Sequence, residues 1–103
     1  MTSKLKIRNK SNEKPRMDLL PFESLEAVAR VLTKGIKDHG EEDWKKVDNA
    51  QAHFTGALLR HLTAYRKGRK FDAKSRESHL AHVAANALFL VWFEESGKAD
   101  GKK

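Results

Sequence analysis

His79, His82 and Asn86 follow one another at i, i+3 and i+7 in a stretch that is otherwise almost entirely apolar. A helix there places all three on one face. Two imidazoles and an amide can donate to phosphate oxygens, bind a metal through neutral ring nitrogens, or satisfy one another in an internal network. Burying any of them unpartnered costs on the order of 1–3 kcal/mol, so each requires a polar neighbour, a ligand or water. Earlier in the chain His61 shares an azimuth with Phe54, Leu58 and Tyr65 and so turns inward, with Arg60 projecting from the flank.

The charged residues divide into patches of different character. Between Arg60 and Arg76 lie Arg66, Lys67, Arg69, Lys70 and Lys74, with Asp72 as the lone acid. That basic stretch borders the His/Asn stripe and suits phosphate. Glu23 and Glu26 form a Glu-x-x-Glu of the kind that coordinates divalent metals. On a helical wheel, however, they share a stripe with Arg30, Lys34 and Lys37, opposite Leu25, Leu32 and Ile36, which reads as a solvated face with Glu26 supporting Arg30. The acids Glu41, Glu42, Asp43 and Asp48 sit beside Lys45 and Lys46 and read as solvated loop groups. The sequence has no glycine-rich phosphate loop, no nucleophile elbow and no cysteine nucleophile.

Three helices are needed to position these groups. Leu25, Val28, Leu32 and Ile36 recur at helical spacing from Glu23 to about Asp38, with Gly40 just beyond. Asp48 and Gln51 have the spacing of a capping box, opening a helix that runs to Lys67 before Gly68. Ser75 is placed to cap a third helix ending near Glu95. This last helix carries Leu80, Val83, Ala84, Ala87, Leu88 and Val91 on one face and Phe89, Leu90 and Phe93 over most of the rest, which puts it in the middle of the fold. The expectation is an all-α, three-helix antiparallel bundle over residues 14–95, entered by an extended arm at Lys14–Pro21 and flanked by disordered tails at 1–13 and 96–103.

With 103 residues, the chain has room for one modest core. Self-association is therefore expected to supplement it, and Trp92 reads as a subunit contact. The lack of cysteine, of a signal-like segment and of a membrane-length apolar run is consistent with a cytoplasmic protein that meets no membrane. The formal net charge is +7, but residues 17–95 carry twelve basic and twelve acidic side chains. The excess belongs to the ends, so nucleic-acid binding would act through the basic N-terminal tail.

The ordered motifs Lys14-Pro-Arg-x-Asp18-Leu-x-Pro21, His39-Gly-x-x-Asp-Trp44, Arg60-His61-Leu, Asp72-x-x-Ser75 and His79-Leu-Ala-His82-x-Ala-x-Asn86-Ala resemble the phage dATP/dGTP diphosphohydrolase N-terminal domain family. The resemblance covers roughly residues 14 to 93 and implies kinship with MazG-like, all-α nucleotide pyrophosphohydrolases. Those enzymes cleave a nucleoside triphosphate to monophosphate and pyrophosphate with magnesium or manganese held by carboxylates. It also implies a bacteriophage or prophage setting. Where the family usually has glycine after the Ser75 position this chain has Arg76, and Arg69 and Lys70 replace an acidic pair.

Two functions share a nucleotide ligand. In the first, Arg60, His61, Lys70, His79, His82, Asn86 and Trp44 bind a phosphorylated nucleotide without turnover, sequestering it against host defence. In the second, magnesium or manganese on Glu23, Glu26 and Asp72, with Asp18 as a further ligand, activates water against dATP or dGTP while Arg60 and Lys70 neutralise phosphate charge. The scarcity of inward-facing carboxylates favours binding.

Overall fold

The computed structural model describes residues 14–97. Of the tails expected at 1–13 and 96–103, Ser96 is the last residue of the final helix and Gly97 its cap; the remainder, and with it a tail-borne nucleic-acid contact, lies outside the described residues. The described chain is all-α, with three helices and one isolated β-bridge: α1 (Phe22–His39), α2 (Ala50–Arg66) and α3 (His79–Ser96). No helix among the described residues is long and apolar enough to cross a membrane.

The arm before α1 is not fully extended. Met17–Leu19 closes a turn of 3-10 helix, and Arg16 grips Asp18 through two bonds of 2.9 and 2.8 Å, an exposed fork-to-fork pair that favours the turn. Pro21 then sets the extended backbone from which α1 starts. Gly40, at φ 92°, stops the helix by returning its N–H to the Ile36 carbonyl at 2.9 Å, a left-handed turn that a side chain would strain.

Helices α2 and α3 form an antiparallel pair. Phe54 near the start of α2 packs on Phe89 and Phe93 near the end of α3, while His61 meets His79 and His82 at the other end. Trp44, on the short 3-10 helix Asp43–Lys46, stacks on Phe89 at 4.5 Å and meets Trp92 and Phe93 edge-on. Ala50 is wholly buried in this cluster. Burial, rather than a capping side chain, fixes where α2 begins, because neither Asp48 nor Asn49 makes the expected cap bond and Asn49 adopts a left-handed conformation at φ 55°.

α3 does lie in the middle, with α2 on one flank and α1 on the other. The face it buries differs from the one its composition suggests. His79, Ala81, Ala85, Asn86 and Phe93 are buried, whereas Leu80, Leu88 and Val91 are exposed. α1 buries only Val28 of its apolar stripe and leaves Leu25, Leu32 and Ile36 exposed. It is held instead by charge. Glu77, just before α3, is buried and receives Arg30 at 3.0 Å and Lys34 at 2.7 Å, and Lys34 also donates to the Ser75 carbonyl at 2.7 Å. Arg30 thus reaches across to Glu77 rather than along its own helix to Glu26.

Candidate functional site

The loop between α2 and α3 is a closed, hydrogen-bonded structure rather than a solvated connector. Asp72 and Glu77 are joined through the backbone at 2.8 Å, Arg76 N–H donates to the Asp72 carbonyl at 2.7 Å, and His79 N–H donates to the Lys70 carbonyl at 2.8 Å. A bridge between Phe71 and Ser78 closes its neck. Inside it the Ser75 N–H donates to Asp72 Oδ2 at 2.8 Å, and the Ser75 hydroxyl accepts from Glu77 N–H at 3.1 Å.

Arg76 lies at φ 67°, reversing the chain so that no helix can start at Ser75. The cap of α3 is Ser78, whose hydroxyl accepts from Ala81 N–H at 2.9 Å. A left-handed conformation is unfavourable for a branched L-residue and free for glycine. Arg76→Gly is therefore expected to stabilise the fold by roughly 1 kcal/mol, less a few tenths for greater freedom in the unfolded chain. Urea unfolding measures it, and a destabilised variant would show that the Arg76 side chain contributes more than the backbone strain it imposes.

Beneath the loop the structure brings together His61, His79, His82, Asp72 and Ser75. The Nδ1 atoms of His61 and His79 are 2.8 Å apart, one donating and the other accepting. The rings of His61 and His82 stack at 4.2 Å, nearly parallel. His82 Nε2 is 2.7 Å from the Ser75 hydroxyl and 3.9 Å from Asp72 Oδ2. Burial, reinforced for His61 by His82, pushes both of these imidazoles below their ordinary pKa, although Asp72 pulls the other way. Burial alone would raise the Asp72 carboxyl; the two bonds from Ser75 and the neighbouring histidines outweigh it and hold the carboxyl low.

The other expected site residues fall elsewhere. Asn86 is buried and returns its amide to the His82 carbonyl of its own helix at 2.8 Å, so the His/Asn stripe is not presented as one surface to a ligand. Trp44 sits in the aromatic cluster at the far end of the α2–α3 pair, and Trp92 is covered there by Trp44 and by Lys45, whose ammonium lies 5.0 Å from its ring. Arg60 and Lys70 are exposed, each lining an open groove on the outside of the loop. One groove, about 280 Å³, is walled by Tyr65, Gly68, Arg69, Lys70, Ser78 and Leu80. The second contains Arg60, Lys67 and again Arg69.

Glu23 and Glu26 are exposed in the first turns of α1. Among the described residues, the group of three potential metal ligands that converges is His61, Asp72 and His82. Among the described residues Glu23, Glu26 and Asp72 are not in a converging group: Asp72 is tied into the loop while α1 turns its acids to solvent.

The profile of the family described as dATP/dGTP diphosphohydrolase, N-terminal, matches residues 5–102. The chain belongs to this family. No curated protein and no solved structure gives a significant match. In this chain the left-handed Arg76, the Asp72–Ser75 loop and the histidine cluster are one physical unit. Sequence reasoning missed Tyr65 and Ser78 as groove residues, took Arg69 only as part of a general basic stretch, and missed Glu77 as the anchor of α1. Ser78 was within reach, since Ser-x-x-Ala-His at a helix start offers a cap as good as Ser75 once the chain reversal at Arg76 is considered.

Proposed function

We propose that the chain is a nucleotide-recognition protein that holds a phosphorylated purine deoxynucleotide in the groove between the end of α2 and the Gly68–Ser78 loop. The observation that carries this reading is the lining of that groove. Tyr65 offers a half-exposed ring on which a base can stack, Arg69 and Lys70 supply two cations, and Ser78 marks the N-terminus of α3. Cations at a helix N-terminus suit phosphate oxygens without further machinery. The purine deoxynucleotide class comes from the family description. Arg60 and Lys67 in the adjoining groove extend the positive rim.

Binding without turnover, and so sequestration, is the primary reading, because the carboxylates that hydrolysis would require do not converge. Hydrolysis of dATP or dGTP is the second reading, favoured by the family to which the chain belongs. Self-association is part of the proposal. Leu88 and Val91 lie exposed on α3, away from the groove, and Leu25, Leu32 and Ile36 line α1; a second copy of the chain is the natural cover for these apolar residues.

Calorimetry of the full chain with dATP and dGTP in EDTA is expected to show binding that falls at least tenfold in an Arg69→Glu/Lys70→Glu variant. Light scattering on the same sample is expected to give a mass above the 11.7 kDa of one chain. Binding unchanged by the charge reversal would sink the groove assignment. Release of pyrophosphate on adding manganese would replace sequestration by hydrolysis.

A further inference from the structure

We infer that His61, Asp72 and His82 form a binding site for a divalent transition-metal ion of the zinc or cobalt type, separate from the nucleotide groove. Each residue comes from a different segment: His61 from α2, Asp72 from the loop and His82 from α3. Their ligand atoms all lie within 4.8 Å of one another. A tetrahedral site with bonds of about 2.0–2.1 Å needs ligand atoms about 3.4 Å apart, so metal binding requires shifts of about 1 Å or slightly more and a turn of the His61 and His82 rings out of their parallel stack. All three are partly buried, so water reaches them without flooding them.

The surroundings have the features that orient metal ligands. His79 holds Nδ1 of His61 at 2.8 Å, which fixes the ring and leaves Nε2 as its ligating nitrogen. Ser75 N–H holds Asp72 Oδ2 at 2.8 Å, which fixes the carboxylate with that oxygen 3.9 Å from His82 Nε2. Such outer hydrogen bonds fix the tautomer and direction of a ligand before the ion arrives. His82 Nε2 currently bonds the Ser75 hydroxyl at 2.7 Å; a metal takes over that nitrogen, and the hydroxyl remains close enough to bond a metal-bound water. Two imidazoles and one carboxylate, with no thiolate, select a late first-row divalent ion over magnesium, which prefers oxygen ligands alone. Three protein ligands leave at least one coordination position open.

The competing account is a closed hydrogen-bond network. It explains the bonds that His79 and Ser75 make to the three residues, but no hydrogen bond joins His61, Asp72 and His82 to one another although a carboxylate and two imidazoles from three segments converge there. The inference rests on this geometry and not on nucleotide binding, and the two are separately tested because nucleotide binding is measured in EDTA.

Titration of the tag-free, metal-stripped full chain with Co(II) is expected to produce the visible absorption of a low-symmetry site at one equivalent. Zn(II) is expected to displace it. His61→Ala and His82→Ala are each expected to weaken binding at least a hundredfold, and His79→Ala by about ten- to a hundredfold. His39→Ala and His53→Ala, both on exposed helix positions, are expected to leave it unchanged. Should the alanine variants unfold, Asp72→Asn keeps an oxygen for the Ser75 N–H and still removes the charged ligand. Ring ¹⁵N shifts of His61 and His82 on adding Zn(II) report the same site in the unmodified chain. Absence of the cobalt spectrum, its persistence in the Asp72→Asn and His82→Ala variants, or shifts confined to His39 and His53 would each overturn the assignment.

Discussion

Replacing Phe93 by alanine is expected to lower the unfolding free energy by about 3–5 kcal/mol, a large share of the roughly 5–15 kcal/mol that holds a small domain folded. Phe93 is 1% exposed and is the largest fully buried side chain among the described residues. Its ring meets Phe54 of α2 at 6.0 Å, Trp44 of the connecting segment at 6.1 Å and Trp92 at 4.9 Å. Three segments therefore close over one ring, and most of its neighbours are rigid aromatic rings that fill the space left by truncation poorly. The same ring fixes the start of α2, since Ala50 belongs to the cluster. Urea unfolding followed by tryptophan fluorescence suits the measurement, because Trp44 and Trp92 both lie against the cluster. Leu88→Ala, on the exposed face of the same helix, is the control and is expected to change the free energy of the isolated chain by about 0.5 kcal/mol or less. A loss under 1 kcal/mol for Phe93→Ala would mean that the α2–α3 pair is held in some other way.

That contrast between Phe93 and Leu88 marks the limit of what periodicity reveals. The three helices were legible because Leu25, Val28, Leu32 and Ile36, or Phe54, Leu58 and Leu62, repeat at helical spacing, and Gly40 and Gly68 end their runs. The inward turn of His61 toward His79 and His82 was legible for the same reason. On α3, however, apolar residues surround the helix, so the wheel gives no preferred face, and the buried side is chosen by the aromatic rings of Phe54 and Trp44 and by the ion pair beneath α1. Helix α1 shows the opposite failure. Its charged stripe reads as solvated, yet Arg30 and Lys34 reach Glu77, a partner 47 residues away from Arg30 in sequence, and no local pattern announces such a pairing.

The histidine cluster was legible in part. Spacing identifies which histidines share a face, but Asp72 and Ser75 enter only through the fold of a loop whose shape depends on backbone hydrogen bonds and on the left-handed Arg76. The motif Asp72-x-x-Ser75 showed the residues without their roles. Trp44 stood in a motif without its packing partners being legible: its indole offers a large apolar area that a small core can use, and it packs on Phe89, Trp92 and Phe93.

Acidification is expected to destabilise the metal-free protein in two steps, measured as the midpoint of thermal unfolding from pH 7.5 to 3 in EDTA. The first step belongs to His61 and His82. Their folded pKa values lie below the unfolded value of about 6.5, so below that pH the unfolded chain binds more protons than the native one. Stability contributed by the neutral imidazoles is complete above about pH 6.5 and is lost as pH falls from there through the folded values. Each group contributes at most about 1.4 kcal/mol per pH unit, and less here because both are partly solvated. The groups facing them set the size of the loss: His82, then His79 and Arg60, add to the cost of a proton on His61, and His79 to that on His82, while Asp72 offsets part of both and Glu77 part of the second. The second step belongs to Asp72 and to Glu77, whose bonds from Lys34 and Arg30 hold its carboxyl below the usual range. Their contribution is present above the unfolded carboxylate values of about 4 and disappears as pH falls through the lower folded values. His82→Gln keeps a polar side chain beside Ser75 and is expected to flatten the first step while leaving the second. A midpoint constant from pH 7.5 to 5 would show that the imidazoles accept protons as readily in the folded chain as in the unfolded one, and the stacked pair would then be open to water.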